Sequence, residues 1–275
     1  MGELLGYSFF ANAVWGVLII AVAAAMTGTY IVARRLVAIS GGITHACFGG
    51  LGLGYYLGMN PLLMAGVFAV VSSLGVEWLS GRGRVREDSA IAVVWSAGMA
   101  TGVLFVFLTP GYVPELNSFL FGNILNISRW DLCVFGLFTV LSGGFFAWKY
   151  REIVACAFDR DFAAVSGLPV RFITTVMTVI VALCIVLTIR LVGVMLLMSM
   201  LSLPQMTAEV FTRRFGGMMK LSMVFSAAGS LGGLALSAYV DVPCSALIVI
   251  VMGVMFCAAR LVGAVWERRG ARERI

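Results

Sequence analysis

The sequence predicts an all-α protein, a polytopic bundle of transmembrane helices, and three observations carry that prediction. Hydrophobic residues make up 61% of the 275 residues and charged residues only 12%, whereas soluble domains carry about 25% charge. Mean hydropathy is +1.03. Long apolar runs recur along the whole chain, and one bilayer crossing requires about 20 such residues. Residues 1–275 are therefore expected to form a single transmembrane domain.

Charged residues and Pro/Gly breaks divide the chain into about nine apolar runs, each long enough to cross a bilayer. The N-terminal stretch has no basic region and no small-residue cleavage pattern, so the first run is expected to be a retained span. Residues 109–129 are too broken for a span. Eight crossings are the alternative, if one run is re-entrant. The expected spans are 10–33, 36–57, 62–80, 90–108, 130–149, 171–190, 191–208, 221–240 and 244–265.

The basic residues indicate the orientation of the spans. Every lysine and arginine except Arg129 and Arg190 falls in one alternating set of loops. Because cytoplasmic loops of membrane proteins are rich in lysine and arginine, this set is expected to be cytoplasmic. Nine spans then place the N-terminus outside and the C-terminus in the cytoplasm. The net charge of +6 reflects the same bias and is not evidence for nucleic-acid binding.

The sequence contains little that would support an enzymatic function. The two lysines, Lys149 and Lys220, do not follow glycine, so the sequence has no G-x-x-x-x-G-K-[ST] loop to hold ATP phosphates. It has no G-x-S-x-G motif, and one histidine leaves little for general acid–base catalysis. The six cysteines form no C-x-x-C pair and are expected to be small buried hydrophobes. No permanently bound cofactor is expected.

The segment 151–172 is a cytoplasmic interruption between spans and predicts a short helix at about 157–168. Asp159 is placed to cap this helix, Gly167 to end it, and Pro169 to prevent its continuation. Its apolar residues recur at i, i+4 and i+7 and share one face: Phe158, Phe162 and Val165. Such a face either docks on a partner protein or lies on lipid headgroups, and physical reasoning leaves these two possibilities open.

His45 is the single histidine and lies near the middle of the second run. An ionisable side chain at that depth usually serves a function, because its exposure to lipid is costly. Imidazole binds zinc, iron and manganese, so His45 is a candidate for lining a transport path and for binding a metal. A hydrogen bond between helices is the alternative. The other polar candidates for this path are Thr44, Cys47, Ser199, Ser202 and Gln205.

Two further sets of side chains could act on cations. The methionines would suit a soft metal, although methionine in apolar helices mostly fills gaps; they are Met195, Met198, Met200 and Met206. The acidic residues of the outer side could form a mouth that attracts cations, or that attracts basic residues of a binding protein. The alternative is a solvated rim. These residues are Glu3, Glu115, Asp131 and Asp241.

Six collinear segments resemble the permease subunits of bacterial ABC importers for zinc, manganese or chelated iron. Together they cover nearly the whole chain, and their order makes the resemblance specific. They are "THACFGGLGLGYYLG" (44–58), "REDSAIAVVWSAGMATGVL" (86–104), "FLFGNILNISRWDL" (119–132), "AFDRDFAAVSGLPV" (157–170), "LVGVMLLMSMLSLPQMTA" (191–208) and "LSAYVDVPCSALIV" (236–249).

The resemblance implies a multi-pass subunit of the prokaryotic cytoplasmic membrane. Two permease copies would form a homodimer with the path between them, and the divalent metal would be the transported substrate. Separate ATP-binding-cassette ATPase subunits would hydrolyse ATP, and an extracytoplasmic solute-binding protein would deliver the metal. The ATPase would dock on the helix between Asp159 and Gly167. The docking residues implied by the resemblance are Phe158, Asp159, Arg160, Phe162, Gly167 and Pro169.

The sequence departs from the family at one position near His45. The family usually has an aspartate four residues before this histidine, and residues at i and i+4 share a helix face, so the pair can hold a passing cation. Here the position is Gly41. The missing carboxylate keeps a metal chelate or another small solute open as cargo. A stand-alone channel or secondary carrier is a further alternative, although no internal repeat is evident.

Overall fold

The computed structural model describes residues 8–82, 85–110, 122, 124–240 and 242–272. In this part of the chain the secondary structure is α-helical, as predicted, apart from a 3₁₀ turn at Ile124–Asn126 and the connecting segments. The helices are α1 (Ser8–Ala33), α2 (Val37–Leu57), α3 (Pro61–Arg82), α4 (Glu87–Leu108), α5 (Arg129–Trp148), α6 (Tyr150–Phe158), α7 (Arg160–Val165), α8 (Val170–Met200), α9 (Leu203–Phe211), α10 (Phe215–Val240) and α11 (Cys244–Arg272).

Eight stretches of the described chain are long and apolar enough to cross a membrane. Seven of them coincide with expected runs: Phe9–Ala33, Val37–Leu57, Pro61–Gly81, Glu87–Leu108, Arg129–Trp148, Phe215–Val240 and Cys244–Trp266. The eighth, Val170–Phe211, contains both of the remaining runs, 171–190 and 191–208. The eight stretches thus contain all nine expected runs, because no polar loop separates these two.

The Val170–Phe211 stretch is interrupted inside. Its 42 residues would extend about 60 Å as one straight helix, about twice the thickness of the bilayer core. Gly193 has φ 79° and ψ 172°, a conformation that glycine tolerates and other residues avoid. Leu201 and Ser202 then separate α8 from α9. The stretch is thus three helical pieces joined at two bends.

The core of the bundle lies between α1 and α8. Ile20 and Ala24 of α1, and Ile185 and Leu197 of α8, are fully buried. Helices α4, α5 and α11 expose large apolar side chains on their outer faces; Phe107 of α4 is 85% exposed. Because lipid is as apolar as the protein interior, such faces are stable against a bilayer.

Helix α2 packs against α3 and α4 through glycines. A Cβ atom built on Gly98 of α4 would lie 2.5 Å from Cα of Ala46, and one built on Gly50 of α2 would lie 2.7 Å from Cα of Ala65. Neither position has room for a side chain. These helices approach backbone to backbone, which is the close packing that small residues permit in membranes.

Candidate functional site

His45 lies at the surface of the subunit, near the middle of α2. Every other residue from Ser40 to Gly50 is buried, whereas His45 is half-exposed. Its imidazole stacks on the indole of Trp95 of α4, with ring centroids 4.7 Å apart and an interplanar angle of 3°. The close packing of α2 on α4 sets this contact. The exposed side of the imidazole is therefore presented away from the core, beside an aromatic wall.

Gly41, one helical turn before His45, leaves space that other side chains occupy. A Cβ atom built on Gly41 would lie 2.9 Å from Cε of Met198 and 3.8 Å from Cζ3 of Trp95. A methyl group and an aromatic ring thus lie where a carboxylate at this position would project. The structure brings together an imidazole, an indole and a thioether side chain, which we call the His45 cluster: His45, Trp95 and Met198.

Three of the predicted path residues lie inside the subunit. Thr44 is fully buried and its hydroxyl donates to the carbonyl of Ser40. Cys47 is fully buried. The side-chain amide of Gln205, also fully buried, donates to the carbonyls of Ala24 and Met200 at 2.9 and 3.1 Å. The structure does not bring these three side chains to the surface that His45 shares.

Ser199 and Ser202 lie at the bend between α8 and α9 and remain half-exposed. Their hydroxyls donate to carbonyls one turn earlier in α8: Ser199 to Met195 at 3.2 Å and Ser202 to Met198 at 2.8 Å. Each hydroxyl oxygen keeps its capacity to accept another hydrogen bond. Ser199 and Ser202 follow Met198 by one and four residues along the chain.

The described residues contain no group of three or more His, Cys, Asp or Glu side chains that could hold a metal ion. The methionines also differ in position. Met200 is fully buried and packs in the core, whereas Met195 is 46% exposed. Within the described part of one subunit, His45 therefore belongs to no such group.

The expected acidic mouth is represented in the structure by Asp131; Glu3, Glu115 and Asp241 lie outside the described residues. Asp131 accepts from Arg190 Nε at 2.7 Å. It also forms a capping box at the start of α5, where its carboxylate accepts from the backbone N–H of Ser128 and its own N–H donates to the Ser128 hydroxyl. This carboxylate is thus engaged in an ion pair and a helix cap.

The segment 151–172 contains the short helix α7. Its first turn is capped by Asp159, whose carboxylate accepts from the backbone N–H of Phe162 at 2.9 Å. Gly167 ends it with φ 76°, and the N–H of Leu168 donates to the carbonyl of Ala163 at 3.1 Å, a Schellman-type ending. The helix and its flanks expose an apolar face, which we call the α7 face: Phe158 (61% exposed), Phe162 (66%) and Val165 (89%).

Arg160, the first residue of α7, points back toward the bundle. Its Nη1 lies 3.9 Å from Oε1 of Glu87, the first residue of α4, and the same oxygen accepts from Nη2 of Arg34 at 3.0 Å. The Arg34 side chain is 7% exposed and also donates to the hydroxyl of Tyr30. One carboxylate thus joins the end of α1, the start of α4 and the start of α7.

Sequence reasoning missed two features of this arrangement, the indole of Trp95 beside His45 and the carboxylate of Glu87 beside Arg160. Trp95 lies 50 residues from His45 along the chain, and no local pattern links the two. Glu87 lies within the segment 86–104 that the sequence singled out, but its partners Arg34 and Arg160 are distant along the chain and could not be predicted.

The chain matches the ABC 3 transport family over residues 6–263. It is 34% identical over 244 residues to a probable metal transport system membrane protein of Chlamydia pneumoniae, covering 86% of this chain and 83% of that protein. It is 30% identical over 260 residues to the manganese transport system membrane protein MntC of Halalkalibacterium halodurans, covering 94% and 88%.

The fold is also similar to that of a solved structure, PsaBC from Streptococcus pneumoniae in complex with Fab. The TM-score is 0.82 at 24% sequence identity, with 94% of this chain and 93% of that chain covered. The eight apolar stretches, the similar fold and the family match over most of the chain all indicate a membrane permease. The chain belongs to the ABC 3 transport family, whose members are membrane permeases.

Proposed function

We propose that this chain is the permease subunit of a bacterial ABC importer that moves a divalent transition metal, such as manganese, zinc or iron, across the cytoplasmic membrane. Hydrolysis of ATP is assigned to a separate ATPase subunit, and delivery of the cargo to an extracytoplasmic binding protein. The observation that carries the proposal is the His45 cluster. It presents an imidazole at the surface of the subunit, at membrane depth, in a chain of this family.

The path lies between two copies of the subunit. His45 faces away from its own core, and helices α2 and α4 are joined so closely that no path passes between them. A second copy related by two-fold symmetry would bring a second imidazole toward the axis. Two imidazoles suit a transition metal better than the single imidazole of one subunit.

The cargo is proposed from the site and from the relatives. The name of the Halalkalibacterium relative assigns manganese to that protein, and imidazole binds manganese, zinc and iron. The second candidate cargo is a metal chelate or another small solute. It is favoured by one observation, that the position beside His45 where a carboxylate could project is filled by Met198 and faced by Trp95, an apolar surface that suits an organic ligand.

The α7 face is the proposed docking surface for the ATPase. Exposed aromatic side chains are typical anchors of protein interfaces, and Phe158 and Phe162 are both mostly exposed at the end of the bundle. Asp159, Gly167 and Pro169 fix the ends of α7, so its face is presented in one conformation. Arg160 connects this surface with the start of α4. A movement of the ATPase that displaces α7 would be transmitted through Arg160 and Glu87 to α4, the helix that contains Trp95.

The topology is proposed to have the N-terminus outside and the C-terminus in the cytoplasm. This requires the Val170–Phe211 stretch to cross twice, turning near Gly193. Three contacts support the turn: Thr174 donates to Glu77 near the cytoplasmic end of α3, Arg190 pairs with Asp131 at the outer end of α5, and Met198 returns to the level of Gly41 on α2.

The test is transport by the purified chain reconstituted into liposomes with its ATPase and binding protein. We expect uptake of manganese or another divalent metal to require ATP and the ATPase subunit, and His45→Ala to reduce it. Gradient-driven uptake by the permease alone would instead identify a channel or carrier. Equal transport of bare ions and chelates by wild type and His45→Ala would remove His45 from the path.

A further inference from the structure

The side chain of Arg160 is only partly satisfied in this conformation. Its Nη1 lies 3.9 Å from Glu87 Oε1, at the outer limit of an ion pair, while Arg34 holds the same oxygen at 3.0 Å. The Nε of Arg160 is buried, and it has no hydrogen-bond partner among the residues that the structure describes. Guanidinium offers five N–H donors in a rigid fork. Arg160 thus holds a long contact with a carboxylate that another arginine already occupies.

A second carboxylate lines the same cavity as Arg160. Glu77, in the last turns of α3, and Arg160 line one cavity of about 320 Å³, together with Leu74, Trp78, Gly81, Arg171 and Thr175. Glu77 Oε1 accepts from the hydroxyls of Thr174 and Thr175 at 3.0 and 3.4 Å. Its Oε2 is buried, and no described residue donates to it.

The cavity therefore holds an incompletely paired anion and borders an incompletely paired cation. A buried carboxylate oxygen without a donor and a buried N–H without an acceptor are both unfavourable. Pairing the two would satisfy both at once, with a charge-assisted hydrogen bond. The cavity gives the guanidinium the room to move toward Glu77, and Arg160 begins the short helix α7, whose displacement would carry it there.

We propose that Arg160 exchanges between Glu87 and Glu77 during the transport cycle, so that Glu77 is a positioning residue for transport. The proposal rests on the proposed function, in which the ATPase engages α7. With Arg160 near Glu87, α7 is tied to α4 and hence to Trp95 and His45. With Arg160 on Glu77, α7 is tied to α3 and α4 is released. The exchange converts movement of the ATPase into movement of one wall of the path.

The first experiment measures cargo transported per ATP hydrolysed by the reconstituted complex with its ATPase and binding protein. Glu77→Gln removes the charge but keeps an oxygen that accepts from Thr174 and Thr175. We expect it to lower this ratio about fivefold or more, in the range of typical coupling energies. The matched control is Asp88→Asn. Asp88 adjoins Glu87 but pairs with Arg86 at the surface, where Asp88 is 63% and Arg86 83% exposed. We therefore expect Asp88→Asn to transport as much cargo per ATP as the wild type.

The second experiment measures the approach of α7 to α3 with Glu77 and Arg160 kept in place. Cysteines are introduced by Gly81→Cys, on the rim of the cavity, and Asp161→Cys, an exposed residue next to Arg160, in a background without native cysteines. A short bifunctional thiol reagent is then applied to the assembled complex. We expect the cross-linking yield to differ about twofold or more between the nucleotide-free and ATP-bound states, because the exchange changes the separation. Arg171 also lines this cavity. The Arg171→Gln variant tests whether Arg171, rather than Arg160, is the cation that pairs with Glu77. A fall in the ratio with Arg171→Gln, and none with Arg160→Gln, would overturn the proposal.

The results separate this inference from the proposed function. A wild-type complex that transports without its ATPase contradicts the proposed function itself. A wild-type complex that needs the ATPase, with a Glu77→Gln variant that transports as much per ATP as wild type, overturns the exchange alone. Equal cross-linking yields in the two nucleotide states overturn it as well.

Discussion

Gly41 determines what surrounds His45. Because glycine has no side chain, the methyl group of Met198 and the ring of Trp95 reach the position one turn before the imidazole. His45 is therefore stacked on an indole, and a thioether side chain rather than a carboxylate occupies the space one turn before it. Within the described part of one subunit this leaves a single imidazole at the position, and in the proposed dimer a second copy of the chain would supply another.

Trp95 is expected to hold His45 in its orientation. Stacked aromatic pairs contribute about 1 kcal/mol, so Trp95→Ala should lower transport about fivefold, while Trp95→Phe retains a ring and most of the activity. The measurement is metal uptake by the reconstituted complex. Trp130→Ala is the control, because Trp130 lies at the start of α5 and is 73% exposed. Uptake by Trp95→Ala at the wild-type rate would show that the stacking has no part in transport.

Introducing a carboxylate at position 41 should change the choice of cargo. Gly41→Asp places an acidic group at i−4 from His45, on the same helix face. It displaces the flexible end of Met198, which lies 2.9 Å from the required Cβ position. We expect uptake of bare divalent ions to rise relative to chelates by about tenfold, the scale on which groups supporting a metal ligand act.

The control for that substitution is Gly41→Asn, which has nearly the same size and no charge. Competition between labelled manganese and unlabelled chelates gives the ratio. If the aspartate and asparagine variants have the same preference, then size and not charge at position 41 governs the cargo.

At the scale of elements, α7 is too short to be stable alone, since isolated helices shorter than about 12 residues are marginal in water. Its conformation depends on the Asp159 cap, the Gly167 ending and the buried side chain of Ala163. These local features hold the outer residues of the helix in one arrangement. An apolar surface that is both exposed and rigid is suited to docking, because little conformational entropy is lost when a partner binds.

Phe162 is expected to anchor the ATPase. Truncating an aromatic anchor of an interface costs about 2 kcal/mol, so Phe162→Ala should weaken ATPase binding about thirtyfold without affecting membrane insertion. Co-purification and binding titrations with the ATPase measure this effect. Phe107→Ala is the control, since Phe107 is 85% exposed on α4, within a membrane span. An α7 face that only rests on lipid would leave ATPase binding by Phe162→Ala intact.

The contact between α2 and α4 is expected to be intolerant of side chains. In Gly98→Val the new Cβ would meet backbone, Cα of Ala46 at 2.5 Å, and backbone cannot move aside. Overpacking of this kind costs about 2 kcal/mol and would also shift Trp95 from His45. Thermal unfolding in detergent measures the loss. Gly136→Val on α5 is the matched control, because nothing lies within 4 Å of its Cβ position; equal stability of the two variants would contradict backbone contact between α2 and α4.

At the scale of the whole molecule, the Val170–Phe211 stretch decides the topology. If it crosses twice, Arg190 lies outside and Arg213 inside. In a background without native cysteines, Arg190→Cys should react with a membrane-impermeant maleimide in intact cells. Arg213→Cys should react only after the membrane is permeabilised. Labelling of both positions from the same side would mean that the stretch does not cross twice, and the proposed orientation of the C-terminus would be wrong.

The sequence by itself determined the features that depend on composition and on neighbouring residues. These are the all-helical class, the bounds of most spans, and the residues that begin and end α7. Apolar content and hydrogen bonding within one element govern all of them, so they can be predicted from a short window. The nine runs became eight stretches because a bend at Gly193 needs no polar loop, and a composition window does not distinguish a bend from a break.

Only the tertiary structure decided which side of each helix faces the core. In a soluble protein polar residues mark the outer side, but lipid and core are equally apolar, so the sequence of a membrane helix carries little of this information. Thr44, Cys47 and Gln205 were therefore plausible path residues, and packing buries all three. For the same reason the stacking of Trp95 on His45 and the sharing of Glu87 by Arg34 and Arg160 arise from contacts between distant helices, which no local pattern encodes.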